Sequence, residues 1–283
     1  MGKAPAALDA LQRKQDAAFR LDARAPITAP RAAEELLAGV GIALRYGATK
    51  GLPLASLYQA FAGAHPDKAA LARGIAQTNR LLGEGHGVEV HVIADRVTVV
   101  HRSLMPAVYA LVRRGRAPDD LDGLSVHART ALALLRERKE ATAGDVRQRL
   151  GLRADPRNDP AYAALAELTA VLLVDRGPFV VPKAGIPYLS TEGYPYHLVA
   201  EAHPEIVRSA ARLRVEAAAD TLLGAYVDGA VFVRVAKLAT LFRFLSKDEI
   251  DAALGRLAAR GTVTVEGAGR ERIAVGGYAP GRA

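Results

Sequence analysis

The stretch that decides the fold runs from residue 246 to residue 278 and reads SKDEIDAALGRLAARGTVTVEGAGRERIAVGGY. Ser246 and Glu249 stand three residues apart, the spacing of a capping box at the start of a helix. The apolar residues that follow recur at helical spacing: Ile250, Leu254 and Leu257. Gly261 then ends the helix. The rest alternates between apolar and polar residues on both sides of a glycine turn, so the stretch predicts a helix followed by a β-hairpin.

The same plan occurs twice earlier in the chain. Each copy reads as three helices followed by two short strands, which is the winged-helix variant of the helix-turn-helix. The predicted boundaries are an N-terminal helical extension over residues 1–27 and copies over residues 28–117, 118–198 and 199–283. The predicted fold class is therefore mainly α with small β-hairpins (α+β), built as three tandem winged-helix domains packed into one unit.

Several local details accompany this prediction. Thr28 is the expected cap of the first helix in the first copy, and Asp159 with Pro160 is expected to start the third helix of the second copy. The third copy is expected to begin with one long helix over residues 204–227. The hairpin of the second copy is predicted in LLVDRGPFVVPK, residues 172–183, with the following tyrosine-rich stretch as its extension.

Composition narrows the class of protein. Half of the 283 residues are apolar, as in a globular protein, and the absence of cysteine excludes disulfides and thiolate chemistry. No apolar run reaches the ~18 residues of a membrane span. The charged N-terminus does not resemble a signal peptide. We therefore predict a soluble, cytoplasmic protein with no membrane partner, no metal site and no cofactor.

The positive charge lies almost entirely in the first third of the chain. The net charge is +8, and residues 1–117 carry 16 lysines and arginines against 9 aspartates and glutamates. Such a distribution is typical of a protein that binds a polyanion, so double-stranded DNA is the predicted partner. A general drift of an arginine-rich protein towards basic composition is the alternative.

The third helix of each copy is the one expected to enter a DNA groove. In the first copy this helix carries five candidate DNA-binding residues: Lys68, Arg73, Gln77, Asn79 and Arg80. A solvated helix face is the alternative for them. The corresponding helix of the second copy has no basic residue, and that of the third copy begins with acidic residues. Three further arginines follow the first copy's hairpin and can line a groove: Arg113, Arg114 and Arg116.

Residues 182–198, PKAGIPYLSTEGYPYHL, form a tyrosine- and proline-rich stretch in a chain that is otherwise poor in aromatic residues. Proline and glycine predict a shaped loop. Three tyrosines are candidates for stacking on a base: Tyr188, Tyr194 and Tyr196. Packing under the hairpin is the alternative for them. Glu192 and His197 share the stretch and are the candidates for an acid–base pair, with ordinary surface positions as the alternative.

These features together resemble the AlkZ/YcaQ family of bacterial DNA glycosylases, which remove alkylated or crosslinked bases. The resemblance covers roughly residues 28–278 and lies in the architecture and in GIPYLSTEGYPYHL, and it is closest to an AlkZ-related branch. The family's catalytic Gln-x-Gln or Gln-x-Asp motif matches the stretch from Gly41 to Tyr46, where Leu44 and Tyr46 occupy the catalytic places. The known chemistry is therefore not implied, and the nearby cations Arg45 and Lys50 suit phosphate binding.

The resulting hypothesis is a duplex DNA-binding protein related to DNA-repair glycosylases that recognises a lesion or a DNA structure. The first alternative is an active glycosylase that removes alkylated or crosslinked bases through a non-standard catalytic residue. The second is a winged-helix transcription regulator without chemistry. A regulator is expected to dimerise on paired half-sites. A lesion-processing protein can act as a monomer, which is the favoured state.

Overall fold

A computed structural model of the chain describes residues 4–21, 25–63, 65–117, 120–153, 155, 158–180 and 193–277. Over these ranges the fold is of the mixed α+β class, with helices predominating over three small sheets. None of the helices in these ranges combines the length and apolarity that a bilayer crossing requires. The proposed domain boundaries remain predictions.

In the described residues, the N-terminal extension and the first copy contain five helices and four strands. In chain order they are α1 (Ala4–Ala18), α2 (Pro30–Val40), β1 (Ile42–Leu44), β2 (Ala55–Ser56), α3 (Leu57–Ala62), α4 (Lys68–Gly83), β3 (Gly87–Ile93), β4 (Arg96–His101) and α5 (Met105–Val112). Asp67 caps α4, since its side chain accepts a hydrogen bond from the Ala70 backbone N–H. Thr28 does not cap α2, which begins two residues later behind Ala29, because Pro30 takes the first helical position.

The described part of the second copy contains three helices and three short strands. They are α6 (Val126–Arg138), β5 (Glu140–Ala141), α7 (Ala143–Arg149), α8 (Pro160–Ala170), β6 (Val174–Arg176) and β7 (Tyr196–Leu198). Asp159 caps α8 as predicted. The hairpin differs from the prediction. Strand β6 pairs with β7, so the returning strand lies in the tyrosine-rich stretch itself. The predicted return over residues 178–183 is described only as far as Val180, and residues 178–180 contain no strand.

The third copy, described as far as residue 277, contains five α-helices, one 3₁₀ turn and three strands. They are α9 (Val199–Ala202), α10 (Pro204–Ala210), α11 (Val215–Gly229), β8 (Phe232–Arg234), α12 (Val235–Leu241), α13 (Lys247–Ala259), β9 (Val263–Glu266), the turn Gly269–Glu271 and β10 (Ile273–Gly276). The capping box of Ser246 and Glu249 is present. The single helix predicted over 204–227 is instead broken between α10 and α11, where Arg214 adopts an extended backbone.

Each copy contributes one sheet in which the last strand lies between the strand that precedes it and a short strand from between the helices. The orders are β2-β1-β4-β3, β5-β7-β6 and β8-β10-β9. All pairings between these described strands are antiparallel except that of β1 with β2. The first sheet places Leu44 opposite Thr98, so that the chain leaving β1 emerges beside the β3–β4 hairpin.

The apolar core of the described residues forms two clusters. One contains side chains of the first and third copies together, and the other is confined to the second copy. The first and third copies meet closely where α11 ends, since a Cβ on Gly229 would lie 2.7 Å from the carbonyl oxygens of both Gly39 and Val40. Only glycine allows this approach.

Helix α8 joins the two clusters. Leu165 and Leu168 are fully buried in the second copy's cluster, whereas Leu172, just beyond the helix, belongs to the other one. The helix also packs against β3 of the first copy. Its apolar sequence therefore reflects a helix that packs between the core of the second copy and strand β3 of the first.

Candidate nucleic-acid interface

The side-chain amide of Asn79 connects helix α4 to the root of the tyrosine-rich stretch. Its Nδ2 donates a hydrogen bond of 2.8 Å to the carbonyl oxygen of Phe179, and its Oδ1 accepts one of 2.9 Å from the Phe179 backbone N–H. Oδ1 also lies 3.4 Å from Nη2 of Arg45. Asn79, predicted to bind DNA, is thus partly buried and engaged in positioning the stretch.

A buried carboxylate, Glu89 of β3, lies directly behind this contact. Its side chain is fully buried and forms salt bridges with Arg45, which follows β1, and Arg176, which ends β6. His91 lies 3.4 Å from its Oε1. The two arginine side chains are themselves only 4 % exposed. The sequence predicts that Arg45 binds DNA, but in the structure its guanidinium forms a buried salt bridge with Glu89.

The environment keeps Glu89 ionised. Burial alone would raise its pKa, but the hydrogen bond to His91 and the charges of Arg176 and Arg45 outweigh burial and lower the pKa to about 2. Both carboxylate oxygens are occupied by these partners. Glu89 therefore ties the first copy to the second and has no free oxygen with which to activate a water.

Two tyrosines cover the arginines. The ring centroid of Tyr194 lies 4.1 Å from the Arg176 guanidinium carbon and 4.9 Å from that of Arg45, within the range of a cation–π interaction. Tyr194 also meets Phe179 edge-to-face with centroids 5.0 Å apart. Its hydroxyl lies 3.1 Å from that of Tyr46, to which Arg176 donates a bond of 3.2 Å. Burial, followed by this contact with Tyr46, raises the pKa of Tyr194, so its phenol stays protonated.

The two residues that match the family's catalytic motif, Leu44 and Tyr46, lie at this cluster of arginines and tyrosines. Leu44 is buried in the first sheet, and Tyr46 is exposed over the arginines. A leucine side chain and a phenol hydrogen-bonded to two neighbours replace the amide and carboxylate that would hold a water. The arrangement favours the binding of a ligand over hydrolysis, since it offers an aromatic surface above two cations.

The predicted basic face of α4 is exposed. Lys68, Arg73 and Arg80 are solvent-exposed, and the last two are seven residues apart and so lie on the same face of the helix. Among the residues that the structure describes, the carboxylate paired with Arg80 is that of Glu84, at a distance of 3.8 Å. Gln77 donates to the carbonyl oxygen of Thr28 and lines a shallow hollow of about 240 Å³ with the two arginines. Lys50 is exposed in the loop after β1.

The three arginines after α5 have three different environments. Arg113 is buried and donates to the carbonyl oxygen of Ala117. Arg114 bridges to the third copy, where it binds Glu249 and donates a bond of 2.7 Å to the Phe244 carbonyl oxygen. Arg116 is exposed. The first two are therefore engaged in contacts within the protein, although Arg114 is also partly exposed.

The tyrosine-rich stretch is described only in part. Tyr188 and Glu192 lie outside the described residues. Tyr196 is only 1 % exposed, because its ring fills the core of the second copy as a member of β7. It therefore has no free ring face for a base, and packing, the alternative considered for it, is its observed environment.

His197 faces two carboxylates on the neighbouring strands. Its Nε2 lies 3.1 Å from Glu140 and its Nδ1 lies 3.7 Å from Asp175. Asp175 also accepts a bond of 2.8 Å from His203. The contact with Asp175, followed by that with Glu140, raises the pKa of His197 despite partial burial. Among the described residues, no group of three or more histidines, aspartates or glutamates is placed to hold a metal ion.

Sequence inspection missed Glu89 and Arg176, the two residues at the centre of the site. A signal was present for both. Glu89 interrupts the strand sequence Gly-Val-Glu-Val, and Arg176 follows Asp175 directly after the apolar run Val171–Val174. A charge within an apolar strand is usually buried against an opposite charge, but the partner cannot be identified without the fold.

Comparison with known protein families identifies the family to which the chain belongs. The model of the AlkZ-like DNA glycosylase family matches residues 72–282, which is well over half of the chain. The chain therefore belongs to the AlkZ-like DNA glycosylase family and is related to DNA-repair proteins. DNA is the partner that this membership implies. No curated protein matches the chain.

Two solved structures are similar to it. The DNA glycosylase AlkZ of Streptomyces sahachiroi shares the fold, with a TM-score of 0.52 at 12 % identity over 93 % of this chain and 68 % of that chain. The DIP2311 protein of Corynebacterium diphtheriae is 14 % identical over 95 % of this chain and 54 % of that chain. Its TM-score is 0.21, which is too low to inform the fold.

Proposed function

We propose that this member of the family is a duplex DNA-binding protein that recognises a lesion or a DNA structure and does not remove bases through the family's motif. Its three copies act as winged-helix domains bounded near residues 28, 118 and 199, and α4 of the first is the helix that approaches the DNA. It works in the cytoplasm and as a monomer.

One observation carries the proposal. At the places of the Gln-x-Gln or Gln-x-Asp motif stand a buried leucine, Leu44, and a tyrosine, Tyr46, whose hydroxyl is held by Tyr194 and Arg176. The nearest buried carboxylate, Glu89, has both oxygens bound by cations or by His91. No group in this constellation is free to position a water for hydrolysis, because its two arginines are themselves buried and held by Glu89.

The exposed cations supply the second support. Lys68, Arg73 and Arg80 project from α4, and Lys50 from the neighbouring loop; among the described residues, their one carboxylate neighbour within an ion-pair distance is Glu84, near Arg80. Cations in such positions neutralise phosphates and release counterions, which is the main source of duplex affinity. Arg114 and Arg113 are left out of this surface because they are engaged within the protein.

Two measurements on the same samples test the proposal. A panel of duplexes carrying alkylated, deaminated or crosslinked bases is incubated with the protein, and abasic sites are revealed as strand breaks after alkali. A family enzyme that retains the Gln-x-Gln or Gln-x-Asp motif is the positive control. Electrophoretic shifts record binding to the same duplexes.

We expect binding to duplex DNA without strand breaks above the protein-free control. Base release from any substrate would instead establish the alternative of an active glycosylase with a non-standard catalytic residue. Failure to bind any duplex at low salt, where electrostatic binding is strongest, would refute the proposed function.

A further inference from the structure

A hollow of about 430 Å³ lies where helix α1, the loop after β1 and strand β8 meet. Its lining comes from three segments of the chain: residues 12–21, 48–54 and 232–237. The first two segments precede residue 72, where the match to the family model begins. Most of the side chains in this hollow therefore lie outside the sequence pattern by which the family is recognised.

The buried part of the lining is apolar with one exception. Four buried side chains present hydrocarbon or aromatic surface there: Phe19, Leu54, Phe232 and Val233. The exception is Gln15 of α1, whose Nε2 donates bonds of 2.6 Å to the carbonyl oxygen of Ala230 and 2.8 Å to that of Phe232. Both hydrogens of this amide are thus used within the protein, where they fasten α1 to β8. The interior of the hollow therefore favours an apolar group.

The charged side chains that line the hollow are all cations: Lys50, Arg234 and Lys237. Among the residues that the structure describes, no aspartate or glutamate lines it. Arg234 is bound by Glu271, whereas Lys50 and Lys237 are exposed and have no carboxylate within ion-pair distance in the described ranges. An apolar cavity whose charges are uncompensated cations has a positive potential and attracts an anion.

We propose that this hollow binds a small organic anion with an apolar body. The body packs against Phe19 and Phe232, and the anionic group, a carboxylate or a phosphate, binds Lys50 and Lys237. The size of the hollow is in the range of about 300–1,000 Å³ that is usual for sites of small molecules. The inference goes beyond the proposed DNA binding and does not depend on it.

A ligand in this hollow would contact α1 and two distant parts of the chain at once. Because it binds only the arrangement in which the three segments meet, it stabilises the attachment of α1 to the rest of the protein. Arg13 lies exposed on α1 and offers trypsin a cleavage site. Since cleavage within a helix requires local opening, its rate reports how firmly α1 is attached.

Two fluorescent probes test the chemistry of the site on the full chain. Anilinonaphthalene sulfonate has aromatic rings and one anionic group, whereas phenylnaphthylamine has the same rings without the charge. Titration with each probe gives its affinity and stoichiometry. Displacement by decanoate, decyl phosphate, decanol and inorganic phosphate then compares the two anionic groups with an apolar chain alone and with an anion alone.

Lys237→Gln removes one cation of the hollow at an exposed position outside the proposed DNA-binding surface. Lys247→Gln is the matched control, because Lys247 is an exposed lysine of the third copy that does not line the hollow. Thermal melts establish that both variants fold as the wild type does.

The wild type should bind one sulfonate probe per chain and bind it more tightly than the neutral probe. Lys237→Gln should weaken binding of the sulfonate probe about 3- to 10-fold and leave the neutral probe unchanged, since only a charge-assisted contact is lost. Lys247→Gln should match the wild type. Decanoate or decyl phosphate should displace the probe, and the one that acts at the lower concentration identifies the anionic group and should also slow cleavage after Arg13.

Three outcomes would overturn the inference. Equal affinity for the two probes, or an equal loss in the two lysine variants, would show an apolar surface without an anion site. Displacement by inorganic phosphate as effective as that by the decyl compounds would show an adventitious ion only. Displacement by a short DNA duplex, with no effect of the decyl compounds on cleavage after Arg13, would assign Lys237 to the DNA-binding surface. None of these results decides whether the protein binds duplex DNA, which the electrophoretic shifts measure separately.

Discussion

Asn79 binds both the N–H and the carbonyl oxygen of Phe179, one hundred residues further along the chain, through the two polar atoms of one amide. Only asparagine or glutamine can donate to a carbonyl and accept from an amide in this way. The contact fixes the position at which the tyrosine-rich stretch leaves β6, and it places Tyr194 over Arg45 and Arg176. An apparent DNA-reading residue of α4 is therefore a structural anchor.

The anchor can be tested with Asn79→Ala. This change leaves the partly buried backbone groups of Phe179 without the amide that binds them, so we expect the free energy of unfolding to fall by about 2 kcal/mol. Asn79→Asp should be at least as harmful, since a carboxylate repels the Phe179 carbonyl oxygen. Urea unfolding followed by circular dichroism measures both. Ile75→Ala on the same helix face is the control and should change stability by less than about 1 kcal/mol; an equally small effect of Asn79→Ala would disprove the anchor.

The Glu89 cluster predicts a pH dependence of stability. The pKa of Glu89 is lowered from 4.5 to about 2 in the folded state, so the ionised carboxylate stabilises the fold above its unfolded pKa. This contribution disappears as the pH falls through the range between those two values. Glu89→Gln should therefore be less stable than the wild type at about pH 7, and the difference should shrink at about pH 3.

Urea unfolding of Glu89→Gln at several pH values makes the comparison. Glu35→Gln is the matched control, because Glu35 is exposed and forms an ion pair with Arg31 one turn before it. Its effect should stay within about 0.5 kcal/mol at every pH, as is usual for an exposed ion pair. A pH-independent difference between Glu89→Gln and the wild type would show that packing and not charge determines its effect.

The exposed arginines of α4 predict the salt dependence of DNA binding. Replacing Arg73 and Arg80 together by alanine should weaken duplex binding and reduce the slope of log K against log salt by about one unit for each phosphate that is no longer neutralised. Fluorescence anisotropy at several salt concentrations measures the slope. The double variant Arg208→Ala and Arg212→Ala removes the same charge from exposed positions of the third copy and should leave the slope unchanged. Equal slopes in all three proteins would exclude α4 as the DNA-binding helix.

The buried face of α8 predicts severe instability for a charge placed there. Leu165 and Leu168 are fully buried, so Leu165→Arg or Leu168→Arg should cost about 3–5 kcal/mol or prevent folding. Ala163→Arg adds the same side chain on the exposed side of the same helix and should be tolerated. Thermal melts and size-exclusion chromatography distinguish these results. Folded, monomeric Leu165→Arg with altered DNA affinity would show that this face contacts DNA.

Sequence reasoning succeeded where local chemistry determines structure. The capping box at Ser246, the cap at Asp159 and the alternation over β3 and β4 each depend on residues within one or two turns, and all three features are present in the structure. Sequence reasoning failed where contacts with a distant part of the chain determine the local structure. The break before α11 and the return of the second hairpin at β7 depend on packing against other elements, which no local pattern specifies.

The sequence by itself determined the mixed α+β class, the positions of most helices, the family resemblance and the absence of the family's motif at Leu44 and Tyr46. These features follow from residue spacing and identity, which are local properties. Only the tertiary structure decided which cations are exposed. The sequence predicts that both Arg45 and Arg73 bind DNA. In the structure, Arg45 is buried against Glu89, whereas Arg73 is exposed on α4. The fold makes this choice because burying a charge is tolerable only where an opposite charge, distant in sequence, is brought into contact with it.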